Sequence, residues 1–238
     1  MQDSGYLNQV RGISAADALP VERAEFIRKT YIHLAGAIAL FTVVTAYLVG
    51  SGRGLWIAQT MLGGPYSWLV VLMLFMGVSW LAQSWARSTT SKYMQYMGLV
   101  LYTLAESVIF LPLLFLAAVK SGDLSIIVQA GVVTGGLFLG LTAVVFLTRK
   151  NFSFLGPILA VGGFVALGFI VSGIFFGFGL GSVFAFAMVA FAGGAILYQT
   201  SNILHEYRTD QPVAASLALF ASVALLFWYV LTIFMRRD

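Results

Sequence analysis

The chain has no cysteine, which excludes disulfides, thiolate metal sites and thiol nucleophiles. Charge is nearly as scarce: Asp, Glu, Lys and Arg make up 9% of the 238 residues, where soluble domains carry about a quarter. Histidine occurs twice, at His33 and His205. A metal site built on that pair lacks carboxylates in the adjoining apolar segments, so hydrogen bonding at the ends of spans is the expected role of both, and no metal is expected. No nucleophile elbow, zinc motif, phosphate loop or dinucleotide fingerprint is present. Serines and threonines are numerous, but no paired base stands ready to activate one. The sequence therefore points to no enzyme and no cofactor. The thirteen Lys and Arg exceed the nine Asp and Glu, for a net charge of +4. They stand singly or in pairs between apolar runs and form no patch, so nucleic acid is not an expected partner.

What the chain does have is apolar surface. Hydrophobic residues make up 60% of it, which places it in the lipid bilayer. Seven apolar segments follow one another: Thr30 to Gly50, Tyr66 to Ser84, Tyr93 to Val119, Leu124 to Leu147, Phe152 to Phe176, Gly179 to Ser201 and Val213 to Phe234. Each has the ~20-residue length of a membrane-crossing helix or somewhat more. They are apolar on every face, whereas barrel strands alternate. The expected fold is thus all-α, a polytopic bundle of seven transmembrane helices over residues 29–238. Residues 1–28 are read as an N-terminal tail whose last part, Ala16 to Arg28, becomes partly helical after Pro20. Short links at Ser51-Gly52, Gly63-Gly64-Pro65, Lys120 to Asp123 and Arg149 to Asn151 make successive spans antiparallel neighbours.

Orientation follows the basic residues. One side collects Arg11, Arg23, Arg28, Lys29, Arg87, Lys92, Arg149, Lys150 and Arg208. The other collects Arg53, Lys120, Arg236 and Arg237. This division favours a cytoplasmic N-terminus and, with seven spans, a C-terminus outside. Were the last segment re-entrant, six spans would bring Arg236 and Arg237 back inside. The glycine pairs Gly131 and Gly135, Gly136 and Gly140, and Gly173 and Gly177 are four apart and lie on single helix faces, as in close helix contacts. Trp56, Trp68, Trp80, Trp85 and Trp228 fall mostly near span ends, as interfacial anchors do.

Glu106 is the single acid within the spans. Near the middle of the third segment, its carboxyl must face protein or water, since a charged group at the bilayer centre costs about 2.5–3.5 kcal/mol even on the lenient scales. Tyr102 and Thr103 precede it by four and three residues and share its face, offering hydroxyls. A carboxyl at that depth suits a proton- or cation-linked gate, or else serves as structural glue between helices. Pro112, six residues on, frees a backbone carbonyl and kinks the span. A second polar group, Gln199-Thr200-Ser201-Asn202, closes the sixth segment and requires the rest of the bundle to wrap around it.

Three stretches carry a resemblance: Gly193-Gly194-Ala195-Ile196-Leu197-Tyr198-Gln199-Thr200-Ser201-Asn202-Ile203-Leu204-His205, Thr148-Arg149-Lys150-Asn151-Phe152-Ser153-Phe154-Leu155-Gly156, and the last span from Ala214 to Phe227. The chain resembles the Bax inhibitor-1 (TMBIM) family, and within it the bacterial YccA-like branch, over all seven spans. The resemblance implies a bundle with the last helix central, an inner-membrane location in a bacterium and a cytoplasmic N-terminus. It also implies a pH-sensitive calcium leak, or restraint of an FtsH-type membrane protease. Calcium or other cations and that protease are the partners it suggests. Calcium-leak members sense pH with two Asp, at positions that match Gln199 and Ser222 here. Neither residue titrates near neutrality, so a two-acid switch cannot operate at this gate. A Gln199 to Ser222 hydrogen bond is the expected replacement. Arg87 falls where the family has a basic latch residue.

Overall fold

A computed structural model describes residues 13–88 and 91–236. The first twelve residues of the tail, with Arg11, lie outside that range, as does Arg237. Nine helices occur among the described residues: α1 Pro20–Gly50, α2 Arg53–Leu62, α3 Ser67–Ala86, α4 Lys92–Ile109, α5 Leu111–Ser121, α6 Ser125–Thr148, α7 Leu155–Phe176, α8 Gly181–His205 and α9 Pro212–Met235. Seven are long and apolar enough to cross a membrane, with α4 and α5 counted together as Lys92–Ser121. In hydrocarbon only such closed hydrogen-bonding segments are tolerated, so an apolar chain of this kind has little choice but helix. The protein is an integral membrane protein.

Three features extend the sequence expectation or depart from it. The first span starts ten residues early, because Pro20 at the opening of α1 presets the helical φ and the helix then runs unbroken to Gly50. Between the first two spans lies the short helix α2, started by the left-handed Gly52 and burying Gly54, Ala58 and Met61 against its neighbours. The third span breaks at Phe110, two residues ahead of Pro112, which takes an opening position of α5. Pro112 has no N–H to donate one turn back, so the break precedes the proline, in the expected sense.

The last helix sits in the middle. α9 packs against α1, α3, α4, α5, α6 and α8, and it buries residues along its whole length from Val213 to Leu231, whereas Ala166 is the one buried residue of α7. Its alanines and serines, Ala214, Ala215, Ser216 and Ser222, allow several helices to approach at once. α7 is peripheral. It lies on α8 and reaches α9 through the small cluster of Ala166, Ala185, Met188 and Tyr229.

Two of the three glycine pairs mediate no helix contact, and in the third Gly173 meets only the following loop at Phe178 and Leu180 while Gly177 ends α7 with a left-handed φ. A Cβ added at Gly131, Gly135, Gly136 or Gly140 would meet nothing within 4 Å. The close approach is at Gly98 of α4, where an added Cβ would lie 2.6 Å from Ala86 N and closer still to the Ala82 carbonyl of α3.

The two ends of the bundle differ. At one, Lys120 donates to the Met235 carbonyl, which brings the ends of α5 and α9 together beside Arg236. At the other, Ser14 pairs with Arg208 in an isolated antiparallel bridge. Ala15 N–H donates to the Tyr207 carbonyl (2.8 Å) and Thr209 N–H to the Ile13 carbonyl (3.0 Å). The residues just before α1 are thereby fixed on the α8–α9 loop, and Ala15 is fully buried there.

Candidate functional site

α4 turns its polar face into the bundle: Gln95, Tyr102, Thr103, Glu106 and Ser107 are all buried. Glu106 is 6% exposed. The hydroxyl of Tyr102, one turn earlier, faces its carboxyl. Both line a cavity of about 620 Å³ bounded by α3, α4, α7, α8 and α9. The same cavity is lined by Gln199 from α8, Ser222 from α9, and Gln83 and Arg87 from the end of α3. Residues far apart in the chain, from α3 to α9, therefore meet around one space. Arg87 marks one end of it and Arg236 the other.

Thr103 does not join them. It is fully buried, but its hydroxyl donates to the Leu99 carbonyl (2.8 Å) within α4 and it does not line the cavity. The three-residue offset rotates it away from the face that Tyr102 and Glu106 share across a full turn. The expected Gln199 to Ser222 bond is also absent among the described residues. Ser222 Oγ instead donates to the Ala218 carbonyl (3.1 Å) on its own helix. The gate positions line the same space without being latched to each other. Arg87 is exposed at the end of α3, with Tyr207 nearby.

Two cavity residues were read from sequence as interfacial anchors. Trp68 and Trp228 instead turn inward and stack on each other (6.0 Å between ring centroids). Phe110, at the helix break, packs edge-on to Trp228 (5.0 Å) and flat on Phe227 (5.6 Å). Trp56 and Trp80 remain outward-facing. Nothing in the local pattern separates an inward Trp near a span end from an outward one; only the neighbouring helix decides it.

The polar group after Gln199 has a structural part. Ser201, fully buried, accepts the Phe152 N–H (2.8 Å) on its Oγ and donates to the side-chain Oδ1 of Asn151 (3.4 Å). The Gln199-Thr200-Ser201-Asn202 group and the Asn151-Phe152 loop are therefore joined. His205 donates from Nδ1 to the Ser201 carbonyl (2.9 Å). His33 donates to the Lys29 carbonyl (2.6 Å) and lies 3.2 Å from the Tyr96 hydroxyl. His205 thus makes its hydrogen bond at the end of α8, as expected, whereas His33 makes its bonds well inside α1, because that helix already starts at Pro20. Among the described residues, no three His, Cys, Asp or Glu side chains cluster closely enough to hold a metal ion.

The family model described as "Inhibitor of apoptosis-promoting Bax1" matches residues 23–238. An uncharacterized protein of Pseudomonas aeruginosa is 31% identical over 228 residues, covering 93% of this chain and 94% of that one. The modulator of FtsH protease YccA of Escherichia coli is 35% identical over 108 residues, 44% of this chain and 49% of the relative. Protein LIFEGUARD 4 of Arabidopsis thaliana is 32% identical over 118 residues, 48% of each. The last two alignments span about half of either partner. On the family match and the near full-length bacterial relative, the chain belongs to the Bax inhibitor-1 family, with YccA among its relatives.

Proposed function

We propose that this protein is a passive cation leak whose pathway is the cavity around Glu106, with calcium among the ions it passes. The observation that carries the reading is that one buried carboxyl, Glu106, shares a continuous space with Tyr102, Gln199 and Ser222 between the cationic ends at Arg87 and Arg236. A single carboxylate with a few neutral oxygens falls short of the six to eight ligands that hold calcium tightly, which favours passage over storage. Gln199 and Ser222 do not titrate near neutrality, so control differs from that of members gated by two acids. The relationship to YccA supports a bacterial inner membrane as the location, and the distribution of basic residues favours a cytoplasmic N-terminus with the C-terminus outside.

Proteoliposomes with a calcium indicator inside test it. Glu106→Gln is expected to lower flux roughly tenfold, the equivalent of about 1.4 kcal/mol at the narrowest point of passage. Equal flux from wild type and variant, or none from either, overturns the reading.

A second reading is modulation of an FtsH-type membrane protease, and the relationship to YccA supports it. Residues 13–15 are fixed on the α8–α9 loop, so a partner would grip the chain ahead of them. Deleting residues 2–12 is expected to abolish co-purification with the protease and leave the thermal midpoint unchanged. Undiminished capture by the truncated chain contradicts this tail-based mechanism.

A further inference from the structure

The cavity has a side as well as two ends. Most of its wall is apolar, formed by Leu72, Phe75 and Met76 of α3, Leu167 and Ile170 of α7, and Leu225 of α9. α3 packs on α2, α4 and α9, and α7 packs on α8. The two helices face each other across the cavity and meet at one end, where the Tyr66 and Phe175 rings touch (5.8 Å). Met76 and Leu167 line the cavity and are also 53% and 37% exposed. The space is therefore a cleft that opens sideways, at a depth where the surroundings are hydrocarbon. It extends along α3 from Trp68 to Arg87, or about 28 Å at ~1.5 Å per residue, close to the ~30 Å of a bilayer core.

The Arg87 end is cationic and has polar neighbours suited to an anion. Gln83 lies one turn before Arg87 on the same face of α3, and Gln199 lines the cavity from α8. Neither of the two ion pairs among the described residues involves Arg87. Glu106 is the one acid lining the cleft, more than one helical turn into the bilayer-crossing part of α4. A guanidinium at the end of an apolar cleft, with two carboxamides beside it, matches an amphiphile with a phosphate head and a hydrocarbon tail.

We propose that this cleft binds one anionic phospholipid taken sideways from the bilayer, with an acyl chain between α3 and α7 and the headgroup phosphate held by Arg87 with the Gln83 and Gln199 amides. The site does not depend on ion passage. A lipid bound there fills the unpacked flank of α3 and α7 whether or not cations cross beside Glu106.

Native mass spectrometry of the full chain in detergent tests it, with phosphatidylglycerol, phosphatidylcholine of the same acyl chains, and chain-free glycerol phosphate as probes. The expected result is one retained phosphatidylglycerol, bound about tenfold more tightly than phosphatidylcholine, which offers Arg87 the same phosphate but brings a choline cation that the guanidinium repels. Glycerol phosphate is not retained. Arg87→Gln, at an exposed helix end, removes the preference between the two lipids. Ala221→Phe, which fills the apolar part of the cleft with Arg87 intact, removes retention of both. Equal retention of the two lipids by the wild type overturns the proposal, as does phosphatidylglycerol retention unchanged in both variants, which marks lipid held around the whole belt. Retention of glycerol phosphate as strong as that of the lipid also overturns it.

Discussion

At the residue scale, Gly98 illustrates how a membrane bundle is held without polar contacts. α3 and α4 cross where Gly98 faces Ala82 and Ala86, and an added methyl would press on backbone, which has no room to yield. Gly98→Ala is therefore expected to destabilise the protein by about 1–3 kcal/mol as overpacking, despite the better helix propensity of alanine. Gly131→Ala, with nothing within 4 Å of the new methyl, is expected to be neutral or slightly stabilising. Thermal unfolding in one detergent separates the two. The sequence pattern pointed elsewhere, to paired glycines on one helix. The signal that mattered was split between helices: Ala82 and Ala86 are four apart on α3, and their partner is a single glycine on α4. A pattern search within one segment cannot pair residues whose proximity is created by folding. Glu106 was legible for the opposite reason. An acid at mid-span has few tolerable environments, so its burial follows from the cost of any alternative, whereas the rotation of Thr103 away from the cavity depended on the actual helix phase.

At the scale of elements, the break between α4 and α5 shapes the site. Ile109 and Phe110 line the cavity at that break, and Phe110 N–H still donates to the Glu106 carbonyl (3.1 Å). Pro112→Ala restores the missing donor and is expected to fuse α4 and α5, adding about 1 kcal/mol for one helix hydrogen bond. The same change shifts Phe110 against Trp228 and is expected to reduce flux; unaltered flux with higher stability would separate the break from the pathway. The joint between α8 and the α6–α7 loop rests on Ser201. Ser201→Ala leaves the Phe152 N–H without its acceptor and is expected to cost about 1–3 kcal/mol, read as a lower unfolding midpoint, with Ser201→Thr recovering part of it. Element existence and order were readable because span length and apolarity are imposed by the bilayer. The short helix α2 was not, because its ten residues are too few to cross and its burial depends on α1 and α5 beside it.

At the scale of the whole molecule, the fold separates its charges by end. Arg53, Lys120 and Arg236 belong to the end where α5 and α9 finish, and the loops with Arg149, Lys150 and Arg208 belong to the other. Antiparallel packing of seven spans places the two sets on opposite faces of the membrane, and the proposed orientation, which counts the basic residues of the whole sequence, puts the second set in the cytoplasm. The absence of cysteine makes this directly measurable, because any introduced thiol is unique. Ser51 and Ser153 are exposed residues at opposite ends. In intact bacterial cells whose outer membrane admits small polar reagents, a maleimide that cannot cross the inner membrane is expected to label Ser51→Cys, and to label Ser153→Cys only after that membrane is permeabilised. The reverse pattern inverts the bundle and moves Arg87, with the lipid headgroup it is proposed to hold, to the outer leaflet. Labelling of both in intact cells contradicts a fixed orientation, and with it any single direction for the path between Arg87 and Arg236.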